Sequence, residues 1–590
     1  MSAGTATGVT GAPPPPSGPS ASPAAPAPGS GSGSAPGSGS APGRRFVARA
    51  AAATAVLTAA GSFFGLVRDQ TIAHLFGAGS ETDAFLVSWT VPEFASTILI
   101  EDAMALVLVP AFSLALSRRA AVRETGKDAR ALPEDPAGPA DPVRALLAAT
   151  LPRLLLALAC AAAAVALLAP PLVGALAPGL ADPGLAVDCT RLTAVTVLGF
   201  GTAGYFSAAL RAHRSFAPPA AIYCAYNITV IAVVLGLHAR WGVRAAAFGV
   251  AAGSLAMVLV QLPAFWRRLH LRAAGTLRAR RPVRAARPPR AARPPRAARP
   301  PRAAALVGWG VVAPVAVFAL SRQSQVLVER FLASGLPPGA ISHLNYAQKI
   351  AQLPMTFSLL LCTVTFPLVA RAMADGRTER ARRRVERDLV LAATVVLLGA
   401  AYVIAYAPQI VQLLFERGAF GAADTAATAS VMRVYATGLL GHCLAGALVR
   451  PFFATARPVW YPAAAMAAGL LLTVVAGALA APRWGVHGIA AANAAGITTT
   501  ALLLLCGLRT RVLPVRVRAV AAGLVRLTLA AAAATAAGLA AAPLLPSPLP
   551  AAAAGALAVP AAFTAAALAV RAPEVPQLLT AVTRRFRHAR

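Results

Sequence analysis

Charge is what this chain of 590 residues has least of: 13% of its residues are charged against 57% hydrophobic, and its mean hydropathy is +0.65. Soluble chains of that size carry about a quarter charged residues, so a bilayer rather than water is the expected solvent. Acidic side chains are scarcest, 21 against 54 Lys and Arg. No aspartate-rich cluster that would hold Mg²⁺ against a diphosphate occurs in or beside the apolar segments. Glu134, Asp135 and Asp141 sit in a Pro- and Ala-rich stretch and are expected to be solvated. The six cysteines, Cys160, Cys189, Cys224, Cys362, Cys443 and Cys506, show no paired spacing. That argues against disulfides or thiolate metal ligands and for small core residues. The eight histidines have no metal-ligand spacing either. His343 and His442 fall inside apolar segments, where a helix-to-helix hydrogen bond is the expected role. No catalytic constellation or cofactor motif is present, which leaves membrane glycosyltransferase as the remaining enzymatic alternative.

What the chain does have is apolar runs. Segments of about 20 residues, enough to cross a bilayer, fall at 46–67, 83–113, 144–175, 190–211, 218–238, 243–266, 304–328, 340–370, 388–408, 426–449, 458–481, 485–507, 517–543 and 549–571. Lipid offers backbone groups no hydrogen-bond partner, so each of these fourteen segments is expected to be helical, giving an all-α, polytopic membrane protein. With a cytoplasmic amino terminus, the Lys and Arg excess falls after even-numbered segments: Arg118 to Arg130, Arg211 and Arg214, Arg371 to Arg387, Arg450 and Arg457, Arg509 to Arg518, and Arg584 to Arg590. Both termini are therefore expected on the cytoplasmic side of the membrane.

A net charge of +33 is typical of nucleic-acid binders, but thirteen Arg lie in residues 267–302, which repeat Arg-Ala-Ala-Arg-Pro-Pro without an acidic residue. Proline every few positions prevents a helix, so the segment reads as an extended linker. It is either an adhesive for anionic lipid headgroups or a low-complexity expansion that satisfies the positive-inside rule. Nucleic acid is disfavoured, because no aromatic residues interleave with the arginines to stack on bases. Residues 1–45 are Gly, Ser, Pro and Ala, expected as a disordered tail and not a signal peptide. Residues 119–143 read as a second polar loop.

One short passage is written twice. Arg240-Trp241-Gly242-Val243 recurs as Arg483-Trp484-Gly485-Val486, and the same shift carries Arg214 onto Arg457 and Pro219 onto Pro462. Six segments separate the copies, so the repeats are expected to run parallel, related by an axis along the membrane normal. The organisation follows: tail 1–45, a six-helix lobe 46–266, linker 267–303, a second six-helix lobe 304–508, two further helices 509–571 and a basic tail 572–590. Arg240 and Arg483 would be structural staples at equivalent corners.

Charges inside spans are costly and mark cavities or ion pairs. The sequence offers Arg68-Asp69, Asp83 and Glu101-Asp102 in the first two segments. Gly65-Leu66-Val67-Arg68-Asp69 with Phe76-Gly77-Ala78-Gly79 and Thr82-Asp83-Ala84-Phe85 resembles the amino-terminal signature of the MurJ/MviN lipid II flippases, within the MATE-like multidrug/oligosaccharidyl-lipid/polysaccharide exporter superfamily. Phe331-Leu332-Ala333-Ser334-Gly335, Asn345-Tyr346-Ala347 before Leu353-Pro354, and Phe415-Glu416-Arg417-Gly418-Ala419-Phe420 before Asp424 follow in order. The resemblance spans about 46–510.

It implies a flippase that moves undecaprenyl-diphosphate-linked disaccharide-pentapeptide, the peptidoglycan precursor, between two lobes that rock about a cationic cavity. The cavity must replace water with cations and hydrogen-bond donors. The candidates are Arg68, Asp69, Asp83, Glu101, Arg322, Arg330 and Lys349. Departures thin the cationic set: Ser62, Ser96 and Thr97 stand where the family carries Arg, and Gln348-Lys349 replaces its Asp-Arg. Segments 304–325 and 458–481 contain no Asp or Glu, so the carboxylate sodium site of some members is not expected. A drug/cation antiporter and a non-transporting scaffold for cell-wall enzymes stay open as alternatives.

Overall fold

The computed structural model describes residues 42–128, 141–274, 309–453 and 459–571; residues 1–41 and 572–590 of the expected tails, the linker from residue 275 and Arg457 lie outside the described residues, while residues 42–45 and 267–274, expected as tail and extended linker, are helical. A compact unit begins at Ala50, and every described element is helical. In chain order they are α1 Pro42–Phe76, α2 Ser80–Ser96, α3 Ala103–Asp128, α4 Pro142–Leu167, α5 Ala169–Leu176, α6 Pro183–Ala212, α7 Ala217–Trp241 and α8 Arg244–Ala274. Then come α9 Trp309–Ala333, α10 Ala340–Ala351, α11 Leu353–Ala374, α12 Thr378–Ala405, α13 Ala407–Phe415, α14 Ala422–Thr437, α15 Leu439–Phe453, α16 Tyr461–Arg511, α17 Val517–Ala541 and α18 Pro548–Ala569.

Where they are described, the apolar segments fall on these helices; residues 304–308 of the seventh segment and residue 458 of the eleventh lie outside the described residues. Nine helices among the described residues are long and apolar enough to cross a membrane, and α14 with α15, bent by 44°, makes a tenth candidate. Several segments are broken rather than straight. A π-helical turn, Thr97–Asp102, separates α2 from α3, one turn beyond Pro92. Pro170 begins α5 after the break at Leu168, and Pro354 begins α11 after the break at Gln352. Proline supplies no N–H and clashes with the preceding turn, so it is tolerated only where a helix starts or kinks. The loop expected at 119–143 is also shorter: α3 runs to Asp128, and Asp141 caps α4 through the Val143 N–H and pairs with the buried Arg119.

The repeated Arg-Trp-Gly-Val passage is the same turn made twice. Gly242 has φ +54 and ψ −141, and Gly485 has φ +53 and ψ −134. Only glycine adopts that backbone without a steric penalty. Gly242 ends α7, and Gly485 kinks α16 into two helical parts. Arg240 and Arg483 are exposed, and neither forms an ion pair among the described residues, so the glycines rather than the arginines fix the corners.

Helix packing follows this order. α6 packs on α2, α4 and α8, and α7 packs on α8. Farther along, α16 packs on α9 and α15, and α12 on α11 and α17, with α18 against α17. Contacts between the earlier and later helices run from α2 and α5 to α9 and α10. Buried side chains on these faces are largely Ala, Val and Leu, with Gly at close crossings. Small residues let helices approach in lipid, where packing rather than water exclusion drives association.

Candidate functional site

The sequence motifs converge at one end of the molecule. The α1–α2 turn meets the α13–α14 turn where the Ala419 N–H donates to the His74 carbonyl at 2.8 Å. Gly418 has φ +62, and a Cβ there would strike that carbonyl. Asp83 reaches across from α2 to cap α10. One oxygen accepts from the Gly339 N–H at 2.7 Å, the other from the Ser342 N–H at 2.8 Å and its hydroxyl at 2.5 Å. An anion at a helix N-terminus is favoured by the orphan N–H groups and the dipole. Nearby, the Gly179 N–H donates to Ser334 Oγ at 3.3 Å, joining the α5–α6 turn to the end of α9. Behind this clasp, the Tyr346 ring packs on Phe415 and Phe420, with centroids 5.0 and 5.8 Å apart. Asp83 is therefore a clasp residue and not a cavity residue, a role that burial at 4% exposure supports.

Deeper along α1 lies a charged centre. Arg68 donates from Nε and Nη2 to one oxygen of Asp69, at 3.0 and 2.7 Å, and from Nη1 to Asn227 Oδ1 of α7 at 3.0 Å. Its guanidinium also lies over the Trp89 ring, 4.8 Å from the centroid. The second oxygen of Asp69 accepts from Lys349 Nζ of α10 at 3.0 Å. Asn227 in turn donates to the Gly61 carbonyl at 3.0 Å, fixing α7 against α1. A second bridge crosses the same divide: Arg330 of α9 donates to Thr90 and, at 2.9 Å, to Glu93 of α2. Both bridges hold arginines that are almost fully buried. Buried cations persist only when paired and hydrogen-bonded.

On the side of Arg68 away from the clasp opens a cavity of about 460 Å³. Among the described residues, Arg68 and Glu93 are its charged lining residues, and Ser62, Ser96 and Thr97 all line it as well. These are the three positions where the resemblance leads one to expect arginine. Trp89, Tyr223 and Tyr226 supply aromatic walls. The cavity thus joins one guanidinium, one carboxylate, hydroxyls and aromatic faces, a lining suited to a polar headgroup with hydroxyl-rich parts.

The other candidates fall elsewhere. Arg322 is exposed on α9 and shares an electrostatic interaction with His442. The side chain of Glu101 lies outside the described residues. The expectation that the seventh segment carries no carboxylate is corrected by its length: α9 continues to Ala333, so Glu329 stays within the helix and is 4% exposed. Glu329 accepts from Asn493 of α16, whose Oδ1 contacts His442 Nε2 at 3.1 Å. His343 contacts Thr428 Oγ1 at 3.0 Å. Both histidines thus take the expected interhelical role. Sequence reading missed Glu93, Asn227 and Glu329. The available signal was a polar residue inside an apolar stretch.

Comparison with known proteins agrees with this geometry. The family model described as lipid II flippase MurJ matches residues 72–546. A lipid II flippase MurJ of Burkholderia cenocepacia is 26% identical over 455 residues, covering 76% of this chain and 81% of the relative. A probable lipid II flippase MurJ of Rhizobium meliloti is 28% identical over 453 residues, covering 75% and 76%. Among solved structures, a lipid II flippase MurJ in an inward closed conformation aligns with TM-score 0.65 and 16% identity over 89% of this chain and 99% of its own. An inward-facing multidrug resistance MATE family transporter aligns with TM-score 0.57 and 14% identity, covering 78% and 95%.

Proposed function

The chain belongs to the lipid II flippase MurJ family, and from that membership we propose that it carries undecaprenyl-diphosphate-linked peptidoglycan precursor from the cytoplasmic to the outer leaflet of the plasma membrane. Its lobes are 46–266 and 304–508, with 509–571 as an accessory pair, and both termini are cytoplasmic. In this reading the clasp around Asp83 closes the outer end while the cavity beside Arg68 receives the headgroup from within.

The observation that carries the proposal is the Arg68–Asp69–Lys349 bridge. Its cations come from helices of the two lobes and share a single carboxylate. An entering diphosphate competes with Asp69 for Arg68 and Lys349, loosening the tie between the lobes as it binds. Substrate entry and lobe movement are thereby coupled through one residue. The precise headgroup can differ from that of relatives, because hydroxyls at Ser62, Ser96 and Thr97 favour saccharide over phosphate contacts. The 267–302 linker adheres to anionic lipid, each basic residue contributing about 1 kcal/mol near the surface.

The test is complementation of a strain depleted of its own flippase. The wild-type gene should restore growth, and Arg68→Ala or Lys349→Ala should not, at normal protein level. Deleting 267–302 should leave complementation intact. Full activity of both point variants would reject the assignment of the site, and wild-type failure would reject the substrate.

A further inference from the structure

A second concave site lies at the hairpin between α11 and α12, far along the chain from the cavity described above. Arg371, Arg377, Arg380, Arg383, Arg384 and Arg387 line a cavity of about 400 Å³ together with Asp375, Leu368 and Ala372. Positive-inside topology accounts for arginines at such a hairpin. It does not require them to converge on one concavity, since mutual repulsion favours splaying into solvent.

The pairing pattern separates the arginines into two sets. Arg377 meets Asp375 at 3.6 Å, Arg383 meets Glu379 at 2.7 Å and Arg384 meets Asp388 at 3.6 Å. Glu379 and Glu386 are also engaged by Arg382, which is not among the residues that line the cavity. The nearby carboxylates are therefore taken. Arg371, Arg380 and Arg387 form no ion pair among the described residues. Arg380, Arg384 and Arg387 recur at helical spacing on one face of α12, and Arg371 faces them from the last turn of α11. In addition, Arg384 Nε is buried and meets only the Asp388 carboxylate at 3.6 Å, beyond hydrogen-bond reach. Its donor capacity is therefore not met by a full hydrogen bond.

We propose that this hairpin is a binding site for a phosphoryl dianion, a phosphomonoester or diphosphate group. Guanidinium forks match phosphate oxygens in pairs, and three arginines free of carboxylates supply both charge and donors. Leu368, about half exposed, adds an apolar margin on which the acyl chain of a phospholipid can lie. The same chemistry could come from a lipid headgroup or from a soluble diphosphate.

The experiment uses the full chain in phosphatidylcholine vesicles, probed with spin-labelled phosphatidic acid and, separately, with labelled inorganic pyrophosphate. Saturable binding of at least one probe is expected. Arg380→Gln with Arg387→Gln should weaken it by about tenfold for each arginine removed, and Arg371→Gln should weaken it from the other helix. Arg240→Gln, exposed and distant, should leave it unchanged. Binding of phosphatidic acid alone identifies a headgroup site, and pyrophosphate binding that competes with the lipid identifies a general phosphoryl site. Arg240, Arg371, Arg380 and Arg387 are exposed and outside ion pairs among the described residues, so the variants keep the wild-type melting temperature. No saturable binding of either probe, or wild-type affinity in both the double variant and Arg371→Gln, overturns the proposal.

Discussion

Replacing Asp69 by Asn should cost far more stability than replacing its partner Lys349 by Met, although both changes break the same contact. Asp69 accepts from Arg68 on one oxygen and from Lys349 on the other, and its side chain is 12% exposed, as is that of Arg68. Removing the carboxylate strands a buried guanidinium, a loss of about 3–5 kcal/mol. Asn227 at 3.0 Å and the Trp89 face at 4.8 Å remain with Arg68, which puts the expected value near the lower end. Lys349 is 35% exposed, and its removal leaves the Arg68–Asp69 pair whole, so Lys349→Met should cost about 0–1 kcal/mol. The double variant should then be no less stable than Asp69→Asn alone, since the lysine contact is already gone. Reversible unfolding in mixed micelles gives all three values. A loss for Asp69→Asn no greater than for Lys349→Met would refute the view that Asp69 chiefly compensates buried Arg68.

Asp83→Ala removes the acceptor for two amides and a hydroxyl at the clasp, and should cost about 2–4 kcal/mol. Faster hydrogen exchange at Gly339 and Ser342 would accompany it, and unchanged exchange would count against the clasp. Gly418→Ala combines a left-handed backbone with a collision against the His74 carbonyl and should cost about 2–4 kcal/mol in thermal unfolding. Gly421→Ala, three residues on in open space at φ −91, should stay within about 0.5 kcal/mol. Glu329→Gln preserves size and keeps an acceptor for Asn493, so it should cost about 1 kcal/mol or less, whereas Glu329→Leu leaves the Asn493 amide N–H without its acceptor and should cost about 1–3 kcal/mol. Equal losses for the two would show that the carboxylate charge, not the hydrogen-bond chain, matters there.

Hydropathy alone located the helices, because the absence of water inside a bilayer leaves the backbone one solution at each apolar run. The Arg-Trp-Gly-Val repeat likewise announced two equivalent turns, and Gly242 and Gly485 make them with nearly identical dihedrals. Breaks within segments were harder to read. A π-helical turn at Thr97–Asp102 depends on how neighbouring helices crowd α2, which hydropathy does not encode. Glu329 was missed by a boundary of a few residues, since its charge and that of Arg330 looked like the end of a span. Arg68 and Asp69 were legible as costly intramembrane charges, and Arg330 and Lys349 through the family resemblance, but their partners were not. Which of them meet is decided by packing between helices distant in sequence, and so Glu93 and Asn227 became visible only in three dimensions. Asp83 shows the reverse case: an intramembrane charge whose expected cavity role gives way to a helix cap.

Translocation of a lipid-linked precursor can be followed by leaflet-resolved labelling of that lipid. In cells depleted of their own flippase, precursor should accumulate in the inner leaflet, and expression of this chain should return it to the outer leaflet within the time needed to make the protein. Arg68→Ala should leave it inside. Precursor that stays in the inner leaflet when the wild-type chain is present at normal level would contradict the account.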